Sequence, residues 1–226
     1  MSRENEQIVT IDGPSGVGKS TVSRAVAARL GYTYLDTGAM YRAVAWKCLQ
    51  DGVPPDDEDA VARLLEDINI RLLPPEKDGD DVRVLVNGRD VSREIRSPEM
   101  AMAASRVSAL GTVREKLTRM QQEMGAAGRI VAEGRDTGTV VFPRAAWKFF
   151  LDAAPGERAR RRAEQLRLRG QEVDEKKILA QIIQRDRDDR ERTIAPLRAA
   201  PDAIHIDTTN LDLDQVVDRI LSHIRT

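Results

Sequence analysis

The sequence contains few of the residues that build disulfide-bonded or histidine-based proteins. Its 226 residues include one cysteine, Cys48, and two histidines, His205 and His223. A single cysteine excludes an intramolecular disulfide framework and is typical of a reducing compartment. Neither histidine has a second ligand at useful spacing, so the sequence does not indicate a histidine-based metal site.

The chain also lacks a strong overall charge and any long apolar stretch. Its formal net charge is −1, from 36 Lys and Arg against 37 Asp and Glu. We therefore do not expect a nucleic-acid-binding protein held by overall basicity. No run approaches the length of a transmembrane helix, and residues 1–6 contain no apolar signal region. We expect a cytoplasmic protein without a membrane or nucleic-acid partner.

What the sequence does contain is a glycine-rich loop between a predicted strand and a predicted helix. Residues 13–20 match the phosphate-loop pattern G-x-x-x-x-G-K-[ST]. Apolar residues 8–11 predict a buried strand before the loop, and a helical pattern follows it as far as Gly31. This order directs backbone N–H groups and a positive helix end toward a polyphosphate. The loop predicts triphosphate binding, with Lys19 at the β- and γ-phosphates and the Ser20 hydroxyl on Mg²⁺.

Strands and helices alternate along most of the chain. Apolar runs at 32–35, 130–132, 147–151 and 204–206 predict four further strands, with helical patterns between most of them. This alternation is typical of the α/β class, in which helices cover both faces of a parallel sheet. Ligands of such sheets bind beyond the carboxyl ends of the strands, where the phosphate loop lies.

Residues 66–92 interrupt the alternation. Apolar and polar residues alternate at 68–72 and again at 82–86, and Asn87-Gly88 is typical of a type I′ hairpin turn. We therefore expect a small antiparallel sheet inserted into the α/β chain.

Two helices are predicted after this insert. Ser97 precedes a helix that should continue to about Leu110. Thr112 and Glu115 have the spacing of a capping box, which predicts the start of the next helix.

The segment 158–192 is rich in arginine, with 12 Lys and Arg against 8 Asp and Glu. Gly170 separates its two predicted helices. Solvated ion pairs explain some of these charges, and the lack of interleaved aromatic residues disfavours RNA binding. We favour a mobile lid whose arginines close over a transferring phosphoryl group, because guanidinium groups hold phosphate oxygens bidentately. The first helix contains Arg158, Arg160, Arg161, Arg162, Arg167 and Arg169.

Several motifs, taken together, resemble those of bacterial cytidylate kinases, a nucleoside monophosphate kinase family. They are residues 13–20, 35–42, 134–143, 185–186 and 190–197, which agree in order and spacing. The resemblance implies a P-loop kinase fold: a five-stranded parallel sheet with helices on both faces, a monophosphate lobe carrying the antiparallel insert, and an arginine lid. The implied reaction transfers the γ-phosphoryl group of ATP to CMP or dCMP, with Mg²⁺.

The implied architecture is a single, monomeric kinase domain over residues 1–226. Its core comprises 7–60, 92–157 and 193–226, with the insert at about 66–92 and the lid at about 158–192. The implied ATP-binding residues are Gly13, Pro14, Ser15, Gly16, Val17, Gly18, Lys19, Ser20 and Thr21.

The resemblance also implies a CMP site. Thr37, Arg42 and Arg135 would bind the phosphate, Ser105, Arg114 and Asp136 would face the cytosine, Arg185 and Asp189 would approach the sugar, and Arg192 would close from the lid. The implied catalytic residues are Lys19, Arg135, Arg185 and Arg192, and the metal ligand is Ser20.

The chain departs from the family pattern at two positions. Thr37 stands where the family often has Ser, which keeps the hydroxyl group. Glu133 stands where the family often has Asp, so the carboxylate at that position is carried by a longer side chain. Glu133 either orders a Mg²⁺-bound water or is a satisfied carboxylate at the end of a strand.

Other functions share parts of this pattern. A small-metabolite kinase of the shikimate or gluconate type has the loop and lid but does not need the insert. A regulatory GTPase would require an Asn-Lys-x-Asp motif, which the chain lacks. An RNA-associated P-loop protein and a non-enzymatic nucleotide-binding regulator are further alternatives.

Overall fold

A computed structural model describes residues 7–77, 80–168 and 170–224. Arg169 and residues 78–79, which the sequence analysis placed in the arginine-rich helix and the insert, lie outside the described residues. The chain divides into a larger unit, residues 1–34 and 127–226, and a smaller unit, residues 35–126. None of the described helices is both long enough and apolar enough to cross a bilayer.

The strands form two sheets. In chain order they are β1 (Ile8–Asp12), β2 (Thr33–Asp36), β3 (Ile70–Leu73), β4 (Arg83–Val86), β5 (Arg89–Asp90), β6 (Ile130–Gly134), β7 (Trp147–Asp152) and β8 (Ile204–Asp207). The five-stranded sheet has the order β2-β6-β1-β7-β8, and β1 pairs in parallel with both β6 and β7. The predicted parallel core is confirmed.

The insert is also confirmed. Strands β3, β4 and β5 form an antiparallel sheet in the smaller unit. Asn87 and Gly88 both have positive φ angles, 49° and 83°, as a type I′ turn requires.

Eight α-helices are described, and most lie where the sequence predicts them. They are α1 (Lys19–Leu30), α2 (Thr37–Gln50), α3 (Glu58–Glu66), α4 (Pro98–Val107), α5 (Gly111–Met124), α6 (Pro155–Leu168), α7 (Glu175–Glu191) and α8 (Leu213–His223). One prediction is wrong: α5 begins at Gly111, without a side-chain cap. Thr112 therefore lies inside the first turn rather than before it, and the capping box does not form.

The main core of the larger unit lies between the parallel sheet and two helices. Val22 and Val26 of α1 and Val217 and Ile220 of α8 pack with apolar residues of the central strands, including Phe149. Their spacing of three or four residues places them on one helix face. This packing fixes the start of α1 against the sheet, at the place where the phosphate loop leaves β1.

Gly13, the first residue of the phosphate loop, is required by a close approach of two backbone segments. A Cβ atom built at Gly13 would lie 2.2 Å from the carbonyl oxygen of Leu151, and the φ angle of Gly13 is +154°. Neither the backbone oxygen nor the φ angle can adjust cheaply to a larger residue.

We predict that Gly13→Ala lowers the free energy of unfolding by roughly 2 kcal/mol or more. Gly52→Ala is the matched control, because Gly52 has a φ of +68° but no heavy atom within 4 Å of its added Cβ. The control should cost only about 1 kcal/mol, from the left-handed backbone alone. Chemical denaturation of both variants tests this, and equal losses would contradict it.

Candidate active site

The phosphate loop presents the start of α1 without a side-chain cap. Gly16 and Gly18 have φ angles of 77° and 96°, which β-branched residues do not adopt. Gly18 is the N-cap of α1, and no side chain accepts a hydrogen bond from the first turn there. Such a helix start keeps its N–H groups and its positive dipole end available to an anion.

Lys19 is the buried cation of this loop. Its side chain is 7% exposed, and its Nζ donates a 2.8 Å hydrogen bond to the carbonyl oxygen of Pro14. Burial lowers the pKa of the Lys19 ammonium well below its usual value, and the nearby Arg135 and Arg185 lower it further. A cation in such surroundings gains strongly when an anionic phosphate replaces the missing solvent.

A buried carboxylate holds the turn that follows β6. Asp12, the last residue of β1, accepts hydrogen bonds from the Thr137 N–H at 2.9 Å, the Thr137 hydroxyl at 2.8 Å and the Gly138 N–H at 2.8 Å. These bonds fix the start of a short π-helical turn, Thr137–Val141, which the sequence did not predict. Because Arg135 and Asp136 directly precede this turn, Asp12 positions the backbone from which they project.

Four of the predicted CMP-binding residues form one charged cluster in the larger unit. Arg135 donates from Nε to Asp189 Oδ2 at 2.7 Å. Arg192 lies 3.7 Å from the other oxygen of Asp189 and 3.8 Å from Asp136 Oδ1. Burial alone would raise the pKa of Asp189, but Arg135 and the other arginines around it hold that pKa below its usual value. Asp189, which contacts both Arg135 and Arg192, therefore offsets the repulsion between the two arginines.

Arg185, on α7, contacts the phosphate loop itself. Its Nη1 donates to the Ser15 hydroxyl at 3.2 Å. Arg158 reaches the same loop residue, donating from Nη1 to the Ser15 carbonyl oxygen at 2.9 Å. Only 1% of Arg158 is exposed, so its guanidinium is part of the interior and not of an open lid surface.

The smaller unit contains the remaining predicted CMP-binding residues, and Asp36 organises one pair of its arginines. Asp36 caps α2 by accepting from the Ala39 N–H, and it also accepts from Arg42 at 3.0 Å and Arg96 at 3.1 Å. Burial alone would raise the pKa of Asp36, but Arg42 and Arg96 hold it below its usual value. A Cβ at Gly38 would lie 3.1 Å from Arg42 Nη1, so this glycine makes room for the guanidinium.

Arg114 and Ser105 share a neighbour in the smaller unit. Arg114 is 4% exposed and donates from Nη1 to the Ser108 carbonyl oxygen at 3.0 Å. The Ser108 hydroxyl donates in turn to the Ser105 carbonyl oxygen at 2.8 Å. The Arg114 guanidinium also lies 5.5 Å from the ring centroid of Tyr41, within cation–π range. Thr37 is buried at the start of α2.

Comparison with known proteins decides the family. Residues 9–226 match the family model for cytidylate kinase. The chain belongs to the cytidylate kinase family. It is 50% identical to a cytidylate kinase of Syntrophotalea carbinolica, over 95% of this chain and 90% of that one. It is 48% identical to a cytidylate kinase of Geobacter sp. (strain M21), over 96% and 91% of the two chains.

A solved structure supports the fold alone. An uncharacterized protein from Eubacterium ventriosum ATCC 27560 aligns with a TM-score of 0.51 over 97% of this chain and 98% of that chain. The two share only 15% sequence identity, so this likeness says nothing about substrate. Membership in the cytidylate kinase family disfavours the small-metabolite kinase and the non-enzymatic regulator as alternatives.

Sequence reasoning did not find several residues that lie at this candidate site. Asp12 stands directly before the phosphate loop, and Asp36 lies within the motif 35–42, so the sequence offered a signal for both. Asp186 lies within the motif 185–186, but its partner Arg158 could not be read from the sequence. Arg96 carried no signal, because its role depends on a contact with the distant Asp36. Arg158 was read as one of many lid arginines, whereas its contacts place it against the phosphate loop.

The titration of Asp12 gives a testable consequence. Burial raises the pKa of the Asp12 carboxyl from 3.8 to about 6, against the opposing effect of its three hydrogen bonds. The folded state therefore holds a proton more tightly than the unfolded state. This contribution to stability is fully present below pH 3.8 and is lost as the pH rises through about 6.

We predict that the Asp12→Asn variant becomes more stable relative to the parent protein as the pH rises from 4 to 7. Because one pKa unit corresponds to about 1.4 kcal/mol, the difference in unfolding free energy should change by roughly 2 kcal/mol over this pH range. Urea denaturation of both proteins across this pH range measures it. A difference independent of pH would show that Asp12 does not titrate there.

Proposed function

We propose that this chain transfers the γ-phosphoryl group of ATP to CMP or dCMP, giving ADP and CDP or dCDP. The observation that carries the proposal is the cytidylate kinase match over residues 9–226, which includes the phosphate loop. The loop geometry and the arginine clusters described above are consistent with this chemistry. Phosphoryl transfer depends on positioning and on cations around the transferring group more than on a catalytic base.

The phosphate loop would hold ATP. Residues from Gly13 to Thr21 would surround the triphosphate with backbone N–H groups, and Lys19 would contact its β- and γ-phosphates. A Mg²⁺ ion, when bound, would neutralise charge that develops between the phosphates. The residues present fit this ion, because Mg²⁺ is usually held by one or two protein oxygens plus phosphates and water. Ser20, in the first turn of α1, would supply its hydroxyl oxygen.

Glu133 fits a structural role at least as well as a metal-related one. The Tyr34 hydroxyl donates a hydrogen bond to Glu133 Oε1, so the carboxylate has a partner within the protein. No group of three or more His, Cys, Asp or Glu within the described ranges could hold a metal ion. We therefore assign Mg²⁺ to the phosphate loop and to ATP itself.

The arginine clusters would bind CMP. Arg42, with Thr37, and Arg135 would contact its phosphate, since guanidinium groups offset the repulsion between two anionic substrates. Arg185 and Asp189 would bind the sugar, and Arg192 would close from the arginine-rich segment. Movement of this segment as a lid remains a prediction. Arg158 stands apart from this set because its guanidinium is buried in a contact with the phosphate loop.

Ser105, Arg114 and Asp136 would recognise cytosine. Cytosine carries an exocyclic amine that uracil lacks, and a carboxylate such as Asp136 can accept a hydrogen bond from it. A site built around that bond leaves a buried acceptor unpaired when uracil binds, which gives strong discrimination between the two bases.

We further propose a monomer that acts in the cytoplasm without a nucleic-acid or membrane partner. The single cysteine, Cys48, is buried and fits a reducing compartment.

We predict that Lys19→Met lowers kcat by on the order of a thousandfold or more, because the cation at the transferring phosphoryl group is lost. A coupled ADP-release assay with CMP measures the effect, and circular dichroism checks that the variant folds. A folded variant that keeps more than a tenth of the parent activity would refute the ATP-site assignment.

We predict that Asp136→Ala reduces kcat/KM for CMP far more than for UMP. The CMP:UMP ratio should narrow by roughly tenfold or more if the lost bond contributes about 1.4 kcal/mol. Arg135→Ala is the control, because loss of a phosphate contact should lower kcat/KM for CMP and for UMP by similar factors. An unchanged ratio for Asp136→Ala would leave Asp136 as a structural carboxylate beside Arg192.

A further inference from the structure

Arg158 is the largest of the fully buried side chains in the described part of the protein. Each of its three guanidinium nitrogens donates a hydrogen bond to an acceptor in the larger unit. Nε donates to the Ala153 carbonyl oxygen at 2.9 Å, Nη1 to the Ser15 carbonyl oxygen at 2.9 Å, and Nη2 to Asp186 Oδ2 at 2.6 Å. The guanidinium therefore joins the phosphate loop, the start of α6 and the middle of α7.

The charge of Arg158 is neutralised where it lies. Asp186 is 4% exposed, and its contact with Arg158 is a buried ion pair. A buried pair of this kind contributes little net stability compared with apolar residues of the same volume. Apolar contacts among Ala159, Ala163 and Ile182 already join the two helices. The ion pair therefore has a role other than holding α6 to α7.

The contact with the Ser15 carbonyl indicates that role. In a trans peptide unit the C=O and the following N–H point in opposite directions, and the unit is rigid. A hydrogen bond to the Ser15 oxygen therefore fixes the direction of the Gly16 N–H, which must point away from Arg158. That N–H is one of the backbone donors with which a phosphate loop binds phosphate.

The rest of the surroundings restrains the same peptide unit. A Cβ atom at Gly16 would lie 3.4 Å from Arg158 Cβ and 3.6 Å from Ile182 Cδ1, so the loop packs directly on α6 and α7. Arg185, one residue before Asp186, donates to the Ser15 hydroxyl. Ser15 is thus held at its backbone by one arginine and at its side chain by another.

We infer that Arg158 and Asp186 are positioning residues for ATP: the ion pair holds the Ser15–Gly16 peptide in the orientation that binds the triphosphate. The pair touches neither substrate and acts through the loop backbone. This inference rests on the proposed function, since it assumes that the loop binds ATP.

Arg158→Lys separates positioning from simple stabilisation. Lysine can keep the charge pair with Asp186, but a single ammonium cannot match the three directions of the guanidinium fork. We expect the dissociation constant for Mg²⁺ and a non-hydrolysable ATP analogue to rise about tenfold, with the KM for CMP changed less than twofold. Isothermal titration calorimetry and steady-state kinetics measure the two effects.

Two further variants complete the test. Asp186→Asn preserves the shape of the side chain and an acceptor oxygen but removes the charge. We expect this variant also to weaken analogue binding severalfold. It replaces Arg158→Lys in the test if Arg158→Lys does not fold. Arg160→Lys is the matched control on α6, because Arg160 is exposed and pairs only with Glu157 and Glu164 among the described residues. Its analogue binding should equal that of the parent.

The possible outcomes separate the positioning role of the ion pair from the proposal that the loop binds ATP. If the parent protein binds the analogue and a folded Arg158→Lys or Asp186→Asn variant binds it within twofold, the positioning role is wrong, whatever the change in thermal stability. If the parent protein does not bind the analogue, or if Lys19→Met binds and reacts as the parent does, the ATP site itself is wrong.

Discussion

A desolvated cation must be held by a carboxylate or a carbonyl oxygen, and this requirement governs the arrangement of charge around the phosphate loop. Lys19 donates to the Pro14 carbonyl, and Arg135 donates to Asp189. Arg158, near the start of α6, pairs with Asp186 in α7. The cations are therefore oriented before any substrate arrives. An electrostatic site of this kind needs little reorganisation during the reaction, which is the main source of its catalytic effect.

The same requirement links charge to substrate binding. Burial lowers the pKa of the Lys19 ammonium, and the nearby arginines lower it further, while Glu133 and Asp12 partly offset this effect. A triphosphate would supply the missing opposite charge and raise that pKa again. We therefore expect the binding of an anion at the loop to be coupled to the protonation of Lys19.

Local sequence patterns predicted the strands, helices and turns of this protein, but they did not predict its buried polar contacts. The strand, loop and helix around Gly13 and the hairpin at Asn87-Gly88 follow from short-range rules of sequence. Asp12 lies 125 residues from Thr137, and Arg158 lies 143 residues from Ser15, so no spacing rule connects them. The predicted capping box failed for a local reason: Leu110 is the extended N-cap residue, so Thr112 lies two residues too late in the chain to cap the helix.

The arginine-rich segment shows how helical period separates structural from functional charge. On α7, Ile178, Ile182, Asp186 and Asp189 are buried and recur at intervals of three or four residues, which defines the packed face. Arg187 lies on the exposed part of the helix and pairs with Glu191. On α6, Arg158 is buried against Asp186 while Arg160, two positions later, is exposed. The helix face on which each arginine lies therefore decides whether it can meet phosphate, and a count of arginines does not show this.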